Sequence, residues 1–148
     1  MLFFRERCVT RSFQPCQIGR FQVRIHNLYS DDDGESHFRD IEIEWIEEDR
    51  DGCLSSRIAV TGMTFRKTSG NYANDWHNPL HRQFVINLDA PVEITASDGE
   101  CRTIGIGEVL LLEDLHGKGH AGKAVDGKFR HSVLISIDDN SRFGRMVR

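Results

Sequence analysis

Hydrophobic residues along this chain recur at every second position in short runs, rather than at the three-to-four-residue interval of a helix. In FQVRIHNLY (21–29), Phe21, Val23 and Ile25 alternate with Gln22, Arg24 and His26. In IEIEWI (41–46), Ile41, Ile43 and Trp45 fall on one face, and Glu42 and Glu44 on the other. The same period, or a short apolar run, marks RIAVTGMTF (57–65), QFVINL (83–88), VEITA (92–96), CRTI (101–104), EVLLL (108–112) and HSVLISI (131–137). Between them stand DDDG, DRDG, TSGN, DAP, SDG, GIG, HGKG and VDG, clusters whose Gly, Asp and Asn residues suit tight turns. Roughly eight strands without a helical interlude predict an all-β domain: a sandwich, barrel or jelly roll. The pattern assigns that single domain to residues 21–140, with an N-terminal extension at 1–20 and a basic C-terminal tail at 141–148. Ile41, Ile43, Val60, Leu110, Leu112 and Val133 are expected in its core, with Phe84 and Ile86 also largely covered.

Composition narrows the class. A length of 148 residues favours one domain with a genuine apolar core. The longest aliphatic run, Val109 to Leu112, is far too short to cross a bilayer. The net charge of −4 is unevenly spread: without residues 1–20 and 141–148, the body holds 12 basic and 22 acidic residues. An acidic body argues against nucleic acid as a partner, because phosphate-backbone binding needs a basic face. Cys8, Cys16, Cys53 and Cys101 show no C-x-x-C spacing and read as reduced thiols of a cytoplasmic protein. The Arg-bearing N-terminus lacks the apolar stretch of a secretory signal and only faintly resembles an organelle-targeting peptide.

Candidate chemistry concentrates in DWHNPLHRQFVINL, residues 75–88. His77 and His81 have helical spacing, but Pro79 removes a backbone donor and pushes Asn78 toward extended geometry. Strand parity then puts His81, Gln83, Val85 and Asn87 on one face, and Arg82, Phe84, Ile86 and Leu88 on the other. Parity alone favours the Phe-Ile-Leu face as the core, leaving Gln83 and Asn87 outside. A second stretch, EDLHGKGH (113–120), turns tightly around Lys118 before His120 starts the next extended run. Glu113 and Asp114 read there first as a solvated surface pair and second as supporting partners of a site. Imidazole nitrogens from the two stretches, with carboxylate or amide oxygens, are the donor types of a divalent-metal site.

Together these segments resemble the cupin superfamily. Gln83 falls where the glutamate of the first cupin motif would stand, and Asp75-Trp76-His77 occupies its two-histidine region. Gly107 opens the second motif, and Gly117-Lys118-Gly119-His120 matches its closing histidine after a two-residue insertion. The chain is more closely similar to a branch of small cupins that carry D-W-H-N-x-x-x-R-Q-F-V-I, E-D-x-x-G-K-G-H and the opening D-D-G-E-S-H-F, here Asp32 to Phe38. The resemblance covers roughly residues 23–137. It implies a double-stranded β-helix, the cupin jelly roll, commonly assembled as a homodimer.

For function, the resemblance implies an enzyme acting on a small organic molecule inside the barrel: an oxygenase, an isomerase or cyclase, or a lyase. His77, His120 and Gln83 are its expected catalytic residues. In a metal-dependent form, one Fe, Mn, Ni or Zn ion would sit on His77, His120, and Gln83 or Asp75, although metal-binding cupins usually supply three histidines and a glutamate. In a metal-free form, the two histidines serve as general acid and base. His81, Asn87 and Lys118 are the further pocket candidates. The alternative is a non-catalytic cupin that holds a small ligand without metal, favoured by Gln83 in place of a carboxylate. In either case His77 and His120 should converge in the barrel mouth beside Gln83, with His81 secondary.

Overall fold

The computed structural model describes residues 23–147. The expected extension at 1–20 lies outside these residues, as do Cys8 and Cys16. Among the described residues there are thirteen strands and no helix, so none is long and apolar enough to cross a membrane. The strands are β1 (Arg24–Ser30), β2 (Ser36–Glu42), β3 (Trp45–Asp49), β4 (Gly52–Ser55), β5 (Val60–Thr68), β6 (Ala73–His77), β7 (Gln83–Asn87), β8 (Val92–Ala96), β9 (Cys101–Ile104), β10 (Val109–Glu113), β11 (His120–Ala124), β12 (Arg130–Ile137) and β13 (Arg145–Val147).

A seven-stranded sheet runs in the order β13-β2-β1-β10-β7-β12-β5, and a four-stranded sheet in the order β6-β11-β8-β9. β3 and β4 form a separate hairpin. Every described strand pair is antiparallel except β1 with β10. One apolar cluster joins Leu28, Phe38, Leu110 and Leu112 of the large sheet to Val92, Ile94, Ala96 and Ile104 of the small one. The two sheets therefore pack face to face. A second cluster of Ile25, Ile41, Phe84, Leu111 and Ile137 lies on the opposite face of the large sheet, beneath Ile43, Ile58 and Phe143.

That double coverage corrects the parity reading of β7. Phe84 is buried under Phe143, with ring centroids 5.0 Å apart. Gln83 and Val85 do not face solvent; they line a cavity between the sheets. Alternation could not reveal this arrangement, because a strand covered on both sides has no outer face to mark.

Other expectations change as well. Val60 is 56% exposed, because among the described strands β5 has a neighbour on one side only. Val133 and Ile43 are half-buried. The expected strand 41–46 breaks between β2 and β3. The C-terminal residues are not a simple tail, since β13 pairs with β2. Cys53 is disulfide-bonded, against the expectation of four reduced thiols, whereas Cys101 is free and exposed.

Candidate functional site

The cavity between the sheets has a volume of about 340 Å³. Its apolar wall is Val85, Val92, Ile94, Leu110, Leu112 and Leu134, and its polar rim includes His77, His81, Gln83 and His120. Arg66, Tyr72, Asn74, Arg130 and Ser132 complete the polar side. Among the described residues, no aspartate or glutamate lines it.

His77 and His120 meet because their strands pair. His77 of β6 lies directly opposite His120 of β11, an arrangement that brings side chains within contact distance. The ring centroids are 4.5 Å apart. Between this pair and Asn74 opposite Gly122, β6 contains one more residue than β11. This bulge puts Asn74 and His77 on the same cavity wall despite their odd spacing.

A glycine lets the strands approach. Gly119 has φ of +69°, and a Cβ there would sit 2.2 Å from the His77 carbonyl oxygen. Any other residue would collide with the backbone that carries the facing histidine.

Acceptors fix both rings. His77 Nδ1 is 2.7 Å from the Asp75 backbone carbonyl, and His120 Nδ1 is 2.7 Å from Asp114 Oδ2. A carbonyl or carboxylate oxygen only accepts, so each Nδ1 carries the hydrogen and donates it. In the neutral rings, both Nε2 atoms then hold an available lone pair.

Asp114 is fully buried and His120 is 3% exposed. The Asp114 backbone carbonyl accepts from Asn78 Nδ2 at 2.7 Å, which ties the loop before β7 to the turn before β11. The surface reading of Glu113-Asp114 is thereby overturned: Glu113 ends β10, Asp114 follows it, and neither is exposed. Asp114 orients His120, and Glu113 joins a polar network on the far face of the sheet.

The remaining candidates separate. Gln83 and His81 line the cavity, with His81 exposed. The Asp75 side chain is exposed and absent from the lining; beside the bulge it contributes a main-chain oxygen rather than its carboxylate. Asn87 is buried but also outside the lining, donating from Nδ2 to the Ile104 carbonyl at 2.9 Å. It fastens β7 to the end of β9. Lys118 is exposed and pairs with Glu35, because the glycine turn around it packs on the loop before β2.

Arg130 was missed in the sequence. At 8% exposed, its guanidinium sits 5.6 Å from the centroid of the Tyr72 ring. It has no ion-pair partner among the described residues, and its Nε makes no hydrogen bond. Burial, reinforced by nearby Arg66, pulls its pKa below the ordinary arginine value. Ser132 Oγ and Thr68 Oγ1 are also buried without partners. The available signal was RHS directly before VLISI, where parity puts Arg130 and Ser132 on one face.

The donors present do not complete the metal site that the resemblance implies. Among the described residues, no group of three or more His, Cys, Asp or Glu side chains could hold a metal ion. His77 and His120 are supplemented in the cavity by the neutral amide of Gln83, which brings no charge, and the exposed His81 on the same rim does not join them as a third nitrogen donor. No reaction step is therefore routed through a metal.

Fold and site together define an all-β protein with a histidine pair at a cavity between two facing sheets. No protein-family model matches the chain, and no curated protein is significantly similar to it.

Proposed function

We propose that the chain is a cupin-type jelly-roll enzyme that moves a proton on a small organic molecule held between its sheets. The observation supporting this is that Asp114 and the Asp75 carbonyl engage the two Nδ1 atoms, leaving two Nε2 bases at one cavity. His120 Nε2 takes a proton from a carbon next to a carbonyl, and the electron pair of that C–H bond moves into the carbonyl to form an enolate. Asp114 holds the ring and offsets the charge it gains, while Gln83 donates from its amide to the enolate oxygen. Returning the proton to the same carbon with inverted configuration gives an isomerase; expelling a leaving group from the next carbon as the enolate collapses, with the His120 imidazolium protonating that group, gives a lyase.

Solvent-deuterium exchange into small 2-oxo acids and enolisable ketones, followed by proton NMR, tests this reading. The wild type should exchange their acidic C–H protons, and His120→Gln should be slower by about 100-fold or more. Equal rates in the two proteins would leave a binding module instead. A stoichiometric metal ion in protein purified without chelator or affinity tag would overturn the metal-free form.

A second copy of the chain is the proposed partner. β5 is a nine-residue edge strand exposing Met63 at 60% and Phe65 at 71%, and an edge of this kind invites strand-to-strand association. Light scattering at micromolar concentration should give a dimer, and Phe65→Glu a monomer. A wild-type monomer would rule the partner out.

A further inference from the structure

The polar half of the cavity is cationic and lacks a counter-ion. Arg130 and Arg66 both line it, and among the described residues no carboxylate does. A guanidinium stays charged in proteins, and burying a charge without a partner is costly. Elsewhere on the same sheet, Arg82 is bonded to Glu113 and to backbone carbonyls. Among the described residues, Arg130 meets only the face of Tyr72. Its Nε–H is buried without an acceptor, and the Ser132 hydroxyl two residues along β12 is buried and unpartnered as well.

Strand register assembles this corner. Arg130 lies opposite Thr68 and Ser132 opposite Arg66, where β12 meets the edge strand β5. The result is a buried guanidinium with hydroxyls beside it, at the edge of the apolar stretch that Leu134, Leu112 and Leu110 form on the same face of the sheet. A guanidinium fork matches the two oxygens of a carboxylate. Phosphate fits less well, because only one of the two arginines is buried, and no described helix supplies an N-terminus.

We infer that the cavity binds a small organic acid, whose carboxylate is received by the Arg130 fork and whose short apolar body lies on the leucine wall toward His77 and His120. This rests on the proposed reading of the cavity as a ligand site, but not on the chemistry of its histidines. Arg130 is thus a specificity-determining residue: it selects charged over neutral substrates.

Matched probe pairs test the inference. Benzoate, hexanoate and 4-methylpentanoate are titrated against benzamide, hexanamide and 4-methylpentanamide, with NMR shifts of cavity-lining residues as the readout. At least one acid should bind 10-fold or more tighter than its amide. Arg130→Gln should reduce that preference to about two-fold or less, and Arg130→Lys, which keeps the charge but loses the fork, should fall between. Thermal melting checks the fold of each variant, and none should melt below the wild type, since the residue removed has no structural ion pair.

Acid and amide binding equally, no acid shifting cavity resonances, or the preference surviving in a folded Arg130→Gln would each overturn the inference. Tenfold tighter binding of phenyl phosphate than of benzoate would overturn the choice of carboxylate. His120→Gln should retain the acid preference. If charge selection is present while deuterium exchange is absent, the proposed chemistry fails and this inference stands. Exchange on neutral ketones without charge selection gives the reverse.

Discussion

Arg82 and Arg130 lie beside neighbouring strands of one sheet and live in opposite worlds. Arg82 precedes β7 and reaches the outer face. There it donates from Nε to Glu113 Oε1 at 2.6 Å, and from Nη1 to the carbonyls of Asp138 and Ser141 at 2.9 and 2.8 Å. Glu113 in turn accepts from Asn27 Nδ2 at 2.8 Å, and Asn27 accepts from Arg39 Nε at 2.5 Å. Arg130 opens β12, faces the cavity, and among the described residues has neither an anion nor a filled Nε–H. On one side of the sheet polar groups hold the fold together; on the other they are left for something that arrives later. Burial alone does not tell a structural charge from a functional one. The state of its partners does.

Removing an anchor from the outer face should have the largest effect. Glu113→Ala strands Arg82 among covered groups and should destabilise by about 3–5 kcal/mol, measured by urea denaturation. A loss under about 1 kcal/mol would show that the outer network is as dispensable as an exposed ion pair. Next comes Asp114→Asn, which keeps the size of the buried side chain but exchanges a carboxylate for an amide. It should slow deuterium exchange by roughly 10–100-fold, as loss of a histidine-orienting partner does, with a stability cost of about 1–3 kcal/mol. Arg130→Met sharpens the comparison from the other side. Its stability should stay within about 1 kcal/mol of wild type or rise, because no native ion pair is broken. The equivalent Arg82→Met should cost several times more.

The smallest effect belongs to the periphery, where full pairing coexists with exposure. His37 stands between Asp31 at 2.8 Å and Asp98 at 2.7 Å, and its pKa is raised, first by the Asp31 hydrogen bond and then by Asp98. A raised folded pKa means the folded state binds the proton more tightly. The stabilisation is therefore complete below about 6.5, the unfolded value, and is lost as pH rises through the folded value. Wild type should exceed His37→Gln in stability at pH 6 by a small margin that closes at pH 9. A margin that widened with pH would reverse the assignment.

Legibility in the sequence followed the pattern of covering. β8, β9, β10 and β12 were readable because apolar residues alternate or run together within them. β6 (ANDWH) was not, and β11 (HAGKA) was met only as an extended run starting at His120, since both contain little apolar signal and are strands because partners hold them there. Yet these two strands carry His77 and His120, which were found through motif resemblance rather than periodicity. Asp114 was misread because adjacent acids usually mark a surface, and nothing local distinguishes a carboxylate turned inward at the end of β10. Arg130 escaped for a related reason: a missing counter-ion is a property of space, not of sequence.

Gly119 makes no contact with a ligand through a side chain, yet it sets how closely the two imidazoles can stand. A library of substitutions selected for loss of activity should therefore return Gly119 alongside His77 and His120, even for Ala, the mildest replacement. Restoring the lost chemistry there would require moving a strand, whereas a lost ring can be answered by adding imidazole from solution. That contrast in rescue distinguishes a residue that performs the reaction from one that keeps its place open.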